Sequence, residues 1–134
     1  MIIGLGCDIA QVSRFSHEES FLLRFCEKYF TCSEIEEIKS RNHTSDIHKI
    51  VQAVATKFSG KEAVSKALGS GFQKGITLKD IEILHDNLGK PVVNLYNLAK
   101  QRAESLAMQK KYNIHLSLSN EKEYVNAVAI IEIY

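Results

Sequence analysis

Asp46-Ile47-His48-Lys49-Ile50-Val51-Gln52-Ala53-Val54-Ala55-Thr56-Lys57-Phe58-Ser59-Gly60-Lys61-Glu62-Ala63-Val64-Ser65-Lys66-Ala67-Leu68 is the longest periodic stretch of the chain, and the remaining elements are read outward from it. Val51, Ala55 and Phe58 recur at spacings of four and three, the repeat of an amphipathic helix. Gly69-Ser70-Gly71 follows, and its glycines are a natural helix stop, so the spacing predicts a central helix over 46–68. The apolar stripe then fails, because its next positions are Glu62 and Lys66. Two readings stay open. Either the helix end emerges into solvent and leaves an ordinary i,i+4 ion pair, or Glu62 is a hard oxygen ligand in a cleft wall with Lys66 one turn on, placed to meet an anion. Gly69 and Gly71 are likewise either a helix cap or a loop that lets backbone approach a phosphate. They do not form a P-loop, which precedes a helix and ends in Gly-Lys-Ser/Thr.

Upstream, residues 2–9 read as a strand with Ile3, Leu5, Cys7 and Ile9 on a core face and Gly4, Gly6 and Asp8 on a nearly bare one. Asp8 is either a turn or cap residue or a group that a ligand can approach past the glycines. A helix is expected over 16–29, and a second begins at Ser33, with Glu36 and Glu37 in its first turn, and runs through Lys39. Downstream, strands 79–85 and 91–95 flank Asp86-Asn87-Leu88-Gly89-Lys90 as a hairpin. Gly89-Lys90-Pro91 makes the turn, with Lys90 a phosphate contact only in the right context. A helix over 97–111 follows. Residues 113–119 alternate, with Ile114, Leu116 and Leu118 inward and His115, Ser117 and Ser119 on a polar face that reads simplest as a solvent-facing edge. A strand over 124–133 closes the pattern. Strands and helices without regular βαβ alternation predict an α+β fold, an antiparallel sheet with packed helices.

The 134 residues fit a single domain, 1–134. Hydrophobic residues at 45% provide a core, and the formal charge of +1 sets aside a surface built for nucleic acid. Three cysteines without a CxxC pair suggest neither a disulfide framework nor a zinc site. The apolar start meets Asp8 too soon for a signal peptide or a membrane span, so a cytoplasmic, membrane-free protein is expected.

Four segments in this order resemble the holo-acyl-carrier-protein synthase family of phosphopantetheinyl transferases along nearly the whole chain. They are Ile3-Gly4-Leu5-Gly6-Cys7-Asp8-Ile9 with Arg14 six positions after the Asp, Lys57 through Ala67, Asn87-Leu88-Gly89-Lys90-Pro91, and His115-Leu116-Ser117-Leu118-Ser119. The resemblance implies a phosphopantetheinyl transferase-like fold. The implied reaction moves 4'-phosphopantetheine from coenzyme A to a serine of apo-acyl carrier protein, releasing adenosine 3',5'-bisphosphate for fatty acid biosynthesis. Coenzyme A is then the substrate, held between subunits of a homotrimer, and Mg2+ bridges its pyrophosphate to carboxylates matching Asp8 and Glu62. Magnesium takes one or two carboxylates plus phosphate oxygens and water, so that donor set is chemically sufficient.

By the same resemblance Lys66 helps to hold the phosphates, and Lys57, Gly69, Gly71, Lys90, Pro91, His115 and Ser117 border the coenzyme. The serine proton goes to Glu62 or to a metal-held water that Asp8 or Glu62 orients. Two positions depart from the family: Lys57 stands where many relatives have arginine, and Asn120 where histidine is frequent, which removes a titrating group. The carrier-docking helix keeps Arg14, Arg24 and Lys28 but inserts Glu18 and Glu19. Rival readings are a non-catalytic coenzyme-binding module and a nucleic-acid domain using Lys57, Lys61, Lys66, Lys110 and Lys111. The paired Asp8 and Glu62 argue against the first, and the near-neutral charge argues against the second.

Overall fold

The computed structural model describes residues 1–15, 17–41, 46–73 and 75–134. Its elements are β1 (Ile2–Gln11), α1 (Glu19–Tyr29), α2 (Cys32–Arg41), α3 (Ile47–Ala67), β2 (Ile81–His85), β3 (Pro91–Leu95), α4 (Asn97–Leu106), β4 (Tyr112–Asn120) and β5 (Tyr124–Ile133). One antiparallel sheet has the order β1-β5-β4, and β2-β3 forms an antiparallel hairpin. The fold is α+β, as the element pattern predicts. Among the described residues no helix is long and apolar enough to cross a membrane.

The faces of β1 are the reverse of the expectation. Leu5 and Ile9 are exposed, as is Cys7, while Gly6 and Ala10 are buried and Asp8 is half-buried. Ile3, next to a register irregularity between Ile2 and Gly4, is the member of the expected core face that packs inward. The cause is the bareness of the glycine face, which lets the backbone of α3 settle directly on the strand. A Cβ on Gly6 would lie 1.9 Å from the Ala63 carbonyl oxygen and 2.6 Å from the Ala67 nitrogen, and one on Gly4 2.2 Å from the Ala67 oxygen. Two strand residues advance about 6.6 Å and four helical residues about 6.0 Å, so the periods nearly match. Gly4 therefore meets Ala67, Gly6 meets Ala63, and the next rung brings Asp8 to Ser59.

The rotation of α3 about its axis is fixed from its other side. Lys61 is fully buried, and its ammonium donates to Glu34 Oε1 (2.7 Å), the Leu78 carbonyl (2.8 Å) and the Ile81 carbonyl (2.6 Å), which uses all three protons. Glu34 also accepts from the Thr31 and Ile83 amides, each at 3.0 Å. Burial pushes the Lys61 pKa down, against the pull of Glu34. Lys57, one turn earlier, pairs with Glu37 and donates to the Ile83 carbonyl at 2.5 Å. At about 100° per residue, Lys57 and Lys61 project about 140° from Glu62 and Lys66. Anchoring the first pair to α2 and β2 thus aims the second toward the Asp8 end of β1.

Several boundaries differ from the expectations for local reasons. The α2 cap is Thr31, not Ser33: Thr31 Oγ1 accepts from the Glu34 amide (3.2 Å) while Glu34 Oε1 accepts from Thr31 N, a reciprocal capping box. α1 starts at Glu19, later than the expected 16, and Ser16 lies outside the described residues. Leu78–Asp80 is a 3-10 turn capped by Thr77 and Asp80, which delays the strand expected at 79 to Ile81. α4 stops at Leu106, short of 111, because Met108 and Gln109 turn to positive φ (52° and 62°) and their amides close back onto Ser105 and Glu104.

Candidate active site

Asp8 is the centre of the polar cluster that the β1–α3 contact creates. Its Oδ2 accepts from Ser59 Oγ at 2.8 Å, and its Oδ1 lies 3.3 Å from Lys66 Nζ, which also donates to the Cys7 carbonyl at 3.0 Å. The side chain of Asp8 is 15% exposed and that of Lys66 51%, so the ammonium reaches from solvent toward a largely shielded carboxylate. Glu62, half-buried, faces the same region. Burial first, then the negative charge of Asp8, pushes its carboxyl above the usual range, with Lys66 and Arg14 pulling it back. The Glu62 carboxylate has no hydrogen-bond or ion-pair partner among the described residues.

This arrangement leaves the Glu62 carboxylate without a donor near the Asp8 carboxylate, a repulsion that a bound cation would relieve. Among the described residues no group of three or more His, Cys, Asp or Glu could hold a metal ion. Two carboxylates suit an oxygen-seeking ion that takes its remaining ligands from water and phosphate, and they do not suit zinc in a closed protein cage. The donor set therefore fits Mg2+, with Asp8 and Glu62 as the residues that would hold it.

The other predicted residues fall in three places. Lys90, Pro91 and His115 line one cleft of about 420 Å³, joined there by Lys100, Tyr112 and Asn113. His115 Nε2 is 2.9 Å from the Glu132 carboxylate, and Ser117 is exposed two residues along the same face of β4. β4 and β1 are the two edges of the sheet, with β5 between them, and His115 faces away from α3 whereas Asp8 faces toward it. Within one chain the two groups do not meet. Gly69 and Gly71, at positive φ (76° and 56°), direct their amides to the Lys66 and Ser65 carbonyls at 2.9 and 3.1 Å. Their geometry is that of a helix cap.

Lys57 stands apart from Asp8. It is 3% exposed and lines a pocket of about 230 Å³ with Glu37, Arg41, Thr56, His85 and Asn120. Lys57 and Lys61 being buried and paired, they do not supply the exposed basic stripe of the nucleic-acid reading. Sequence reasoning missed Ser59, Glu34 and Glu37. The step of two along 4-6-8 against four along 67-63-59 held the signal for Ser59, but reading it requires knowing that β1 lies on α3.

The chain matches the model of the ACPS, 4'-phosphopantetheinyl transferase superfamily over residues 4–129. A holo-[acyl-carrier-protein] synthase from Clostridium beijerinckii is 41% identical over 132 residues, covering 98% of each chain. A holo-(acyl-carrier-protein) synthase from Bacillus anthracis, solved in complex with CoA (3',5'-ADP), aligns with a TM-score of 0.77 at 30% identity, over 100% of this chain and 99% of that one. An acyl carrier protein synthase from Plasmodium yoelii with ADP bound gives 0.81 at 34% identity, over 98% and 95%. With a family model spanning nearly all of its length and full-length relatives at this identity, the chain belongs to the holo-acyl-carrier-protein synthases of the 4'-phosphopantetheinyl transferase superfamily.

Proposed function

We propose that this protein transfers 4'-phosphopantetheine from coenzyme A to a serine of apo-acyl carrier protein, releasing adenosine 3',5'-bisphosphate and supplying holo-carrier for fatty acid biosynthesis. The observation that carries the reading is the cluster of Asp8, Glu62 and Lys66, two carboxylates and a solvent-reaching ammonium built by one strand–helix contact. Asp8 and Glu62 would hold Mg2+, which would supply charge neutralisation on the pyrophosphate and a better leaving group. Lys66 binds the phosphate oxygens from the solvent side. The serine hydroxyl oxygen forms a bond to the β-phosphorus while the bond from that phosphorus to the bridging oxygen breaks, and the bisphosphate leaves with the electron pair. The serine proton goes to Glu62 or to a water that Asp8 or Glu62 orients.

The same reading places the enzyme as a homotrimer with shared sites. Two observations support it: the coenzyme-bordering residues divide between the opposite edges of one sheet, and the sheet face turned away from α3 exposes Leu5 and Ile9 beside the half-buried Val128 and Ile130. The Asp8 wall of one subunit would then meet the wall of Lys90, Pro91, His115 and Ser117 of its neighbour. Carrier protein would dock on α1, where Arg24 and Lys28 are exposed near Arg14, with Glu18 and Glu19 interspersed to tune encounter rate and orientation. Free cysteines suit a reducing cytoplasm.

The test of the site is release of adenosine 3',5'-bisphosphate from coenzyme A and apo-carrier. Chelator-treated protein should be silent and recover with Mg2+; undiminished release in excess chelator contradicts the metal assignment. The test of sharing is to mix Asp8→Ala and His115→Ala chains under verified subunit exchange. Partial recovery of activity is expected, and its absence would contradict the shared site.

A further inference from the structure

Three buried hydroxyl groups on α3 have traceable partners, and they divide in an informative way. Thr56 Oγ1 donates back to the Gln52 carbonyl (2.7 Å) and Ser65 Oγ to the Glu62 carbonyl (2.7 Å), the usual resting place of a hydroxyl inside a helix. Ser59, fully buried, leaves its own helix and donates to Asp8 Oδ2 across the contact with β1. Its location follows from the matched periods of strand and helix, since Ser59 is the rung after Gly6–Ala63. The two oxygens of Asp8 thereby have different partners: Oδ2 is tied to a rigid, water-excluded donor, while Oδ1 faces the exposed Lys66.

We infer that Ser59 is a positioning residue for the proposed transfer: it fixes the rotation of the Asp8 carboxylate so that Oδ1 points toward Glu62 and Lys66 as the cation-binding oxygen. The inference rests on the assignment of Asp8 as a holder of a divalent cation. Without the Ser59 hydroxyl the carboxylate would be free to turn about its Cβ–Cγ bond, and Oδ1 would no longer be held in the orientation it has beside Lys66. Donors that orient metal-holding groups typically change metal affinity or activity about 10- to 100-fold when removed. Ser59 itself touches neither substrate nor reacting atoms.

The test is Mn2+ binding read by electron paramagnetic resonance, in the presence of coenzyme A and without carrier protein, for the wild type, Asp8→Ala, Ser59→Ala and Ser59→Cys. Ser59→Ala should weaken Mn2+ binding about tenfold or more, while coenzyme A affinity measured in chelator stays as in the wild type. Ser59→Cys keeps the volume but donates weakly, so it should lose affinity too; wild-type Mn2+ binding by this variant would show that space, not the hydrogen bond, matters, and overturn the inference. It also carries the test if Ser59→Ala fails to fold. If Asp8→Ala loses Mn2+ while Ser59→Ala binds as the wild type does, the positioning role is wrong and the metal assignment stands. If Asp8→Ala binds Mn2+ as tightly as the wild type, the metal assignment falls and this inference falls with it.

Discussion

Replacing Gly6 by alanine probes the contact on which the site depends. The added Cβ would sit 1.9 Å from the Ala63 carbonyl oxygen, 2.6 Å from the Ala67 nitrogen and 3.0 Å from the Ala63 carbonyl carbon. All three are backbone atoms of a helix whose far side is pinned by Lys61 and Glu34, so no flexible side chain can yield. Restoring ordinary contact near 3.5 Å requires β1 and α3 to part locally by about 1.5 Å. Such overpacking costs about 1–3 kcal/mol, and backbone neighbours place this case at the upper end. The same displacement would stretch the 2.8 Å bond from Ser59 to Asp8 beyond hydrogen-bonding range. A misplacement of about 1 Å at a catalytic group costs about 100-fold in rate. Gly6→Ala should therefore lower the urea midpoint and, at a temperature where circular dichroism shows it folded, turn over about 100-fold more slowly. A variant with wild-type midpoint and wild-type turnover would refute the idea that glycine is there to let the helix approach.

Three further outcomes follow from the surroundings of the site. Lys61→Met removes the cation from a fully buried pair and leaves Glu34 with two amide donors but no counter-charge, which should cost about 3–5 kcal/mol in urea unfolding; a loss below 1 kcal/mol would show the pair to be dispensable. For Glu37, burial raises the carboxyl pKa, but hydrogen bonds from Lys57 and from the His85 ring and amide outweigh it and hold the group below the usual range. A depressed folded value means its contribution is complete above the unfolded carboxylate pKa of about 4.3 and is lost as pH falls through the lower folded value, so the acid-side drop in urea midpoint should be shallower in Glu37→Gln, and an unchanged slope would contradict the assignment. Leu5→Glu, on the exposed sheet face, should yield a folded monomer by light scattering; persistence of a trimer would move the interface elsewhere.

What the residues reveal and what they hide divide along a physical line. The central helix, the hairpin and the inward face of β4 were legible because each needs only its own periodicity. The break of the α3 stripe at Glu62 and Lys66 pointed to the candidate site for the same reason, a polar group where the pattern calls for an apolar one. The inner face of β1 was not legible, because alternation names two faces without saying which one meets a partner, and here the less apolar face is the buried one. The burial of Lys57 and Lys61 was not legible either, since it depends on carboxylates 20 and 27 residues away, Glu37 and Glu34. Ser59 was hidden likewise, its partner lying 51 residues distant.

The account is tested most directly by incubating the purified protein with Mg2+, coenzyme A and apo-acyl carrier protein, and weighing the carrier by mass spectrometry beside a parallel sample containing Asp8→Ala. The wild type should add the mass of one 4'-phosphopantetheine group to a single serine of the carrier, with Asp8→Ala leaving it nearly unmodified. A carrier that keeps its apo mass with the wild type would contradict the proposed transfer, and equal modification by both proteins would contradict the site built around Asp8.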